Sequence, residues 1–392
     1  SFYRVAPQYT PPYIQEGQFL HLYGWFSNSA LKVGLAMDGN RDGKVICEDS
    51  KDREYLFWVN DDHDVISGGE EDDDDSSTKD CDDSSISCKR DLEDFTRVAL
   101  YVPGVCSNIP GLTYYLAFTN ILSGTPSANI FEAVDPSMDY LSDDGVADDQ
   151  IQETKLVTVS SSEVQLGSQY IVPGQTNVFL LEGKSIGRGQ LALIVKKDGS
   201  PIVSGSTDLE FKSIKNFYEK YIVTTTSGDD VNSSSSQSGT YAYLPGSEDY
   251  ILFVHGWNMP EWEKERWAET MFKRLWWLGY DGHCGLFSWP TLSGFQWFNP
   301  WDSHHYDHSE LRSWNSAVAL RSRVESLNYG HPGKVRVLAH SMGNVVSSEA
   351  IAGSGYQIVH TFLSAQAAIP GHCFDSAVTN YWSGYSTPVI CH

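Results

Sequence analysis

The sequence predicts a two-domain protein, an all-β N-terminal domain followed by an α/β domain whose mostly parallel sheet is covered by helices on both faces. Three observations carry that expectation. The 392 residues exceed the roughly 150 of an ordinary single domain. Up to about residue 210, short β-type runs are bounded by Gly, Pro and Ser. From Tyr250 onward, nearly all-apolar strands alternate with amphipathic helices, as a sheet buried on both faces requires.

The N-terminal runs are Phe19 to Trp25, Tyr55 to Val59, Arg97 to Val102, Thr113 to Phe118, Asn177 to Leu181 and Gln190 to Val195. A helix-like segment, Leu209 to Tyr221, follows them. The polar stretch Ser227 to Gly239, with serine at 233 through 236, then reads as a flexible connection. The expected organisation is a β-rich acidic domain over 1–226, a linker over 227–244 and an α/β domain over 245–392. Its strands are Tyr250 to Val254, Gly285 to Trp289, Lys334 to Leu338 and Ile358 to Leu363. The helices between them are Glu261 to Leu278, Ser309 to Leu327 and Asn344 to Ile351.

Charge narrows the partners. A net charge of -24 repels phosphate backbones, so nucleic acid is not an expected partner, whereas dissolved cations are. Between Asp38 and Asp94 there are 21 acidic and 7 basic residues, which concentrates the excess in one stretch. No run approaches the roughly 18 apolar residues of a membrane span, so no transmembrane segment is expected. The first residue is Ser1, which fits a mature or excised chain. The seven cysteines contain no C-x-x-C pair; Cys81 and Cys88 could close an acidic loop or remain thiols.

Within the acidic stretch, Asp38, Asn40 and Asp42 stand at positions 1, 3 and 5 of a twelve-residue loop. Gly43 follows at 6, the Lys44 carbonyl at 7 and Asp49 at 12, the ligand spacing of a calcium loop. Asp49 in place of Glu weakens bidentate closure. Asn60, Asp62 and Asp64 repeat the alternation and make a second candidate Ca²⁺ site. The alternative for both is a solvated acidic turn, and the Asp72 to Asp75 run reads as solvated charge.

The chemistry is concentrated further on. Val335 to Leu338 leads into Ala339-His340-Ser341-Met342-Gly343, an apolar strand ending in small-x-Ser-x-Gly and passing directly into a helix. That is the pattern of a nucleophile elbow, with Ala339 replacing the first glycine. Ile251 to Val254 ends in His255-Gly256-Trp257-Asn258. In such an arrangement the loop after the strand and the residue after the nucleophile each donate a backbone N–H to an oxyanion, here Trp257 and Met342. His255 precedes the serine and is expected to be a structural loop residue.

With these two motifs in order and about 80 residues apart, the sequence resembles the α/β-hydrolase superfamily, in particular esterase/lipase-like bacterial members of unassigned substrate. Phe287-Ser288-Trp289-Pro290 is similar to that group's fourth strand. Phe57-Trp58-Val59-Asn60 and Arg90 to Phe95 are similar to β-rich regions preceding such hydrolases in large exported bacterial proteins. The resemblance implies a catalytic order of Ser, acid, His, with two further strands after the sixth. Asp375 is the best placed acid. His360, His372 and His392 are the downstream histidines, none in the expected position, so truncation after the sixth strand is expected.

The expected function is therefore serine-dependent hydrolysis of a small or lipid-like carboxylic ester, without an organic cofactor, in a secreted or cell-surface protein. Oligomeric state is left open. The rival is a non-catalytic surface or adhesion protein that keeps the hydrolase fold as a scaffold. His304, His305 and His308 have metal-compatible spacing, but a surface or capping role is expected of them. Nine of the twelve tryptophans fall between Trp257 and Trp314; Trp289, Trp297 and Trp301 are placed to flank the site, while core packing is expected of most.

Overall fold

The computed structural model describes residues 32–41, 45, 54–59, 92–239, 241, 243, 245–292 and 303–369, the side chains of 303 and 304 excepted. The chain divides into two compact units, and the division falls between Lys212 and Ser213. Among the described residues no helix is long and apolar enough to cross a membrane.

The N-terminal unit is built on one eight-stranded sheet. Its strands are β1 (Gly34–Met37), β2 (Tyr55–Val59), β3 (Phe95–Tyr101), β4 (Leu112–Glu132), β5 (Lys155–Val159), β6 (Val164–Leu166), β7 (Thr176–Lys197) and β8 (Ser200–Ser213), with a short helix α1 (Asp144–Gln150) before β5. The runs expected at 177–181 and 190–195 are two parts of the single strand β7. It pairs antiparallel with β4 along almost its whole length, with register shifts between Thr119 and Ala128. β7 turns into β8 through Asp198-Gly199, both at positive φ, the two-residue turn whose twist matches that of paired strands. Phe57, Trp58, Phe95, Leu180 and Phe211 are fully buried here.

Leu209 to Tyr221, expected to be helical, is mostly extended. Leu209 and Phe211 are buried and alternate with Glu210 and Lys212, which places them on the end of β8. Three residues of 3₁₀ helix, Ile214–Asn216, and a new strand, β9 (Glu219–Ile222), follow. Leu-x-Phe-x-x-Ile-x-x-Phe satisfies a period of two and of three to four at once, so periodicity could not separate the two.

β9 belongs to the C-terminal unit. So do the strands β10 (Thr225–Ser227), β11 (Asp230–Val231) and β12 (Ser236–Ser238), which occupy the segment expected to be a linker. β10 and β11 form a hairpin, and β12 pairs antiparallel with β9. The unit therefore starts more than thirty residues before the expected boundary at 245. Beyond lie β13 (Tyr250–Val254), α2 (Glu261–Trp277), β14 (His283–Ser288), α3 (Ser303–Gly330), β15 (Val335–His340), α4 (Gly343–Ala352) and β16 (Thr361–Ala365). These match the expected elements with small shifts at their ends.

The six-stranded sheet runs β12-β9-β14-β13-β15-β16, parallel throughout except for the β12 edge. Tyr250, Leu252 and Val254 face a core shared with Ala317, Leu320 and Val324 of α3 and Val345 and Val346 of α4. Ile251 and Phe253 are also buried and alternate to the other face. Helix α2 packs Phe272 and Trp276 around Phe217 and Tyr243. Register fixes the site: Val254 lies beside Ala339 and Phe287, so the segments after β13, β14 and β15 emerge together at one edge.

Candidate active site

At that edge the chain turns sharply from β15 into α4. Ser341, at the bend, has φ of 50°, a region a β-carbon rarely enters. Asn258 and Gln366, also at this edge, have φ of 62° and 43°. Half of the six described non-glycine residues with positive φ thus gather around one serine, the clustering expected of a functional site.

Two glycines explain how the bend is accommodated. A β-carbon on Gly343 would lie 2.4 Å from the Val254 carbonyl oxygen and 2.5 Å from that of His255, so the start of α4 presses directly on the end of β13. One on Gly256 would stand 3.0 Å from Ser341 Cβ and 3.0 Å from His340 Nδ1. The His-Gly loop therefore passes immediately beside the serine, as an oxyanion loop must.

The bend is tied by Asn344, which sequence reasoning missed. Its buried side-chain amide donates to the carbonyls of Ala339 (3.1 Å), Ser341 (2.9 Å) and Ala365 (3.2 Å). The Ser341 N–H donates to the Ala365 carbonyl, and the Ala368 N–H to the Ser341 carbonyl, each near 3.0 Å. Met342 is buried in the core, and its N–H, one residue past the serine, has no hydrogen-bond partner among the described residues. Trp257 is half-buried, and the ring of Tyr306 meets it edge-on at 5.0 Å. The next N–H in that loop, Asn258, donates to Thr291 Oγ1 at 3.2 Å.

His255 is the structural residue expected. It is fully buried and lies flat against Trp289 at 5.2 Å, its Nε2 accepting the Trp289 N–H at 3.1 Å. Its Nδ1 lies 2.7 Å from the Gly256 carbonyl, and Trp289 Nε1 donates to the His255 carbonyl at 2.8 Å. Burial, with Lys264 nearby, holds the imidazole far below its usual pKa, so it is neutral and clamps the loop. Trp289, expected to flank the site, is fully buried in this clamp. Buried Lys264 donates to the Trp289 carbonyl at 3.1 Å and pairs with Glu261 at 3.2 Å; burial lowers its pKa.

The other histidines stand elsewhere. His340 Nε2 is 3.0 Å from Gln366 Oε1 and its ring stacks on exposed Trp267 at 4.6 Å. His308 pairs with Asp229 of the β10–β11 turn, which Arg312 also holds at 2.9 Å; the histidine contact, then Arg312, lowers the Asp229 pKa against some opposing burial. That is the surface role expected for His308. His360 precedes β16, its N–H bonded to the carbonyl of Val335, so it lies at the opposite edge of the sheet from Ser341. A cleft of about 400 Å³ lined by Asn328, Tyr356 and His360 is at that far edge too. Asp375, His372, His392, Trp297 and Trp301 lie outside the described residues.

Of the expected calcium ligands, Asp38 is fully buried and ion-paired with the equally buried Arg97. Asn40 is exposed. Asp42, Lys44, Asp49, Asn60, Asp62 and Asp64 lie outside the described residues, as do Cys81 and Cys88. Cys106 and Cys284 are buried free thiols.

Residues 243–361 match the model of a family described as alpha/beta hydrolase of unknown function (DUF900). The match supports the α/β-hydrolase superfamily. It spans the His-Gly loop, the elbow and the strands that carry them, and it names no substrate. No curated protein matches the chain. Among solved structures, a glycosyl hydrolase family 2 member from Bacteroides cellulosilyticus aligns at 7% identity over 65% of this chain and 34% of that one. Its TM-score of 0.13 carries no argument about fold or function.

Proposed function

We propose that the C-terminal unit is a serine hydrolase of carboxylic esters, with Ser341 as nucleophile. The observation that carries this reading is Ser341 at positive φ between β15 and α4, with Gly256 packed beside it. In the proposed reaction Ser341 Oγ attacks the ester carbonyl while its proton passes to a general base. The N–H groups of Met342 and Trp257 hold the oxyanion, and the alcohol leaves with a proton to give an acyl-serine. Water attacks the acyl-serine by the same path and releases the acid. Pre-aligned donors of this kind contribute roughly 10²–10³-fold in rate each.

His255 is held by Trp289, His340 by Gln366 and His308 by Asp229, and His360 lies at the opposite edge, so none of these four is proposed as the base. Asp375 remains the proposed orienting acid. A lipid-like or otherwise hydrophobic ester suits the aromatic rim of Trp257, Trp267 and Tyr306. The scaffold reading is favoured by one observation: among the described residues no side chain hydrogen-bonds the Ser341 hydroxyl, Asn344 reaching only the carbonyl. Hydrolysis of p-nitrophenyl esters of graded acyl length separates the two. Turnover that Ser341→Ala abolishes is expected, and folded protein without Ser341-dependent turnover at any length would favour the scaffold.

Calcium binding by the 38–49 loop is a separate proposal that rests on ligand spacing. Asp38 already has Arg97 as its counter-charge, so a cation there must compete with a guanidinium. Calorimetric titration of chelator-treated protein should give heat with millimolar Ca²⁺; no heat would end the proposal.

A further inference from the structure

At the end of the parallel sheet opposite Ser341, three side chains from distant segments converge. Glu248 lies in the approach to β13, His283 opens β14 and His331 follows α3. One ligand atom from each lies within 4.8 Å of the other two. We propose that Glu248, His283 and His331 form a binding site for a divalent transition metal, Zn²⁺ foremost, that ties these three segments together.

The chemistry of the donors selects the metal. Two imidazole nitrogens and one carboxylate suit Zn²⁺ and its neighbours in the first transition row, whereas Ca²⁺ and Mg²⁺ take oxygen ligands. Three protein ligands leave a fourth, tetrahedral position for water. Zinc bonds of about 2.1 Å put ligand atoms roughly 3.4 Å apart, so capture requires a contraction on the order of 1 Å. Glu248 can supply it, because its side chain is two-thirds exposed.

The two rings are already held. His331 Nδ1 lies 2.9 Å from the Glu248 backbone carbonyl and 3.5 Å from Glu248 Oε2, so the ring is held against the carboxylate it would share a metal with. The Tyr241 hydroxyl stands 3.3 Å from His283 Nδ1. Tyr250 stacks on His283 with planes 7° apart and packs on His331 at 5.1 Å. The backbone beneath is equally fixed: the His283 N–H donates to the Asp249 carbonyl at 2.7 Å and the His331 N–H to that of Leu327 at 2.8 Å. Such a shell orders ligands before the ion arrives, which lowers the entropic cost of binding.

The site is separate from ester chemistry. Tyr250, His283 and Val335 are register partners at the starts of their strands, whereas Ser341 follows the end of β15. Five residues of strand separate the two edges, about 16 Å. The metal is therefore a stabilising staple, and Ser341-dependent turnover should not depend on it.

The test is Zn²⁺ titrated calorimetrically into the chelator-treated full chain, alongside thermal unfolding and Co²⁺ visible absorption. One equivalent should bind tightly, Co²⁺ should give a tetrahedral nitrogen–oxygen spectrum, and the Tm should rise by about 5 °C or more at a hundredfold excess over Kd. Glu248→Ala and His331→Ala should weaken that equivalent at least tenfold. His331 packs on Tyr250; should its variant fail to fold, the exposed Glu248→Ala decides alone. Absence of a tetrahedral Co²⁺ spectrum, or its persistence with unchanged affinity in Glu248→Ala, would overturn the site.

Discussion

The two edges of the C-terminal sheet are built from the same strands to opposite standards. At the edge where the strands begin, Tyr241, Tyr250, His283 and His331 stack and hydrogen-bond, and no described non-glycine residue there has a positive φ. At the edge where they end, Ser341, Asn258 and Gln366 all do. A comfortable backbone at one edge and a strained one at the other shows where the fold has given up local stability to fix geometry. It is also the edge at which open parallel sheets place their ligands.

This contrast can be broken deliberately. The largest effect is expected of Gly343→Ala, whose methyl would meet two backbone carbonyls at about 2.5 Å. It should cost about 3 kcal/mol or more in urea unfolding, since neither carbonyl belongs to a flexible side chain. Gly256→Val acts on the serine instead: ester turnover should fall roughly 10²-fold or more, while the unfolding midpoint moves much less. Asn344→Ala releases three carbonyls at the bend and should cost about 1–3 kcal/mol.

A smaller effect sharpens the comparison through pH. His255 is neutral and buried in the folded chain, with a pKa far below the 6.5 of the unfolded one. The unfolded state therefore binds more protons as pH drops, so the contribution is fully present above about pH 6.5 and is lost below it, by up to about 1.4 kcal/mol per pH unit. His255→Gln should flatten the acid side of the stability–pH curve; an unchanged slope would show that His255 does not carry it. The smallest change is expected of Tyr306→Ala, which opens the rim over Trp257. It should raise KM about threefold for long acyl chains and leave acetate esters untouched, because only extended chains would reach the rim.

The elbow and the His-Gly loop were legible because each lies within a few consecutive residues and its chemistry depends on local backbone. Strands β13 and β14 were legible for a related reason: they are buried along almost their whole length and read as largely apolar runs, whereas β15 and the edge strand β16 are buried only in part. What was missed depends on register or burial. β9 was hidden by an apolar pattern compatible with helix and strand, and β12 by a serine run with no apolar alternation, tied to β9 by its backbone and by Gln237 donating to Glu219 at 3.0 Å. Trp289 was placed at the mouth because it follows β14; its partner His255, just past the end of β13, draws it inside. Glu248, His283 and His331 are far apart in the chain and meet only through parallel alignment, so no spacing rule could find them. The buried partnership of Asp38 with Arg97 was likewise not visible in the ligand spacing of its loop, because Asp38 follows β1 and Arg97 lies on β3.

The central claim is that Ser341 is an activated nucleophile. The most direct measurement is mass spectrometry of the folded full chain after treatment with an alkyl fluorophosphonate, with peptide mapping and a Ser341→Ala control. One adduct per chain is expected, on the peptide containing Ser341, and none in the variant. Folded protein left unmodified, or an adduct that persists in Ser341→Ala, would contradict it.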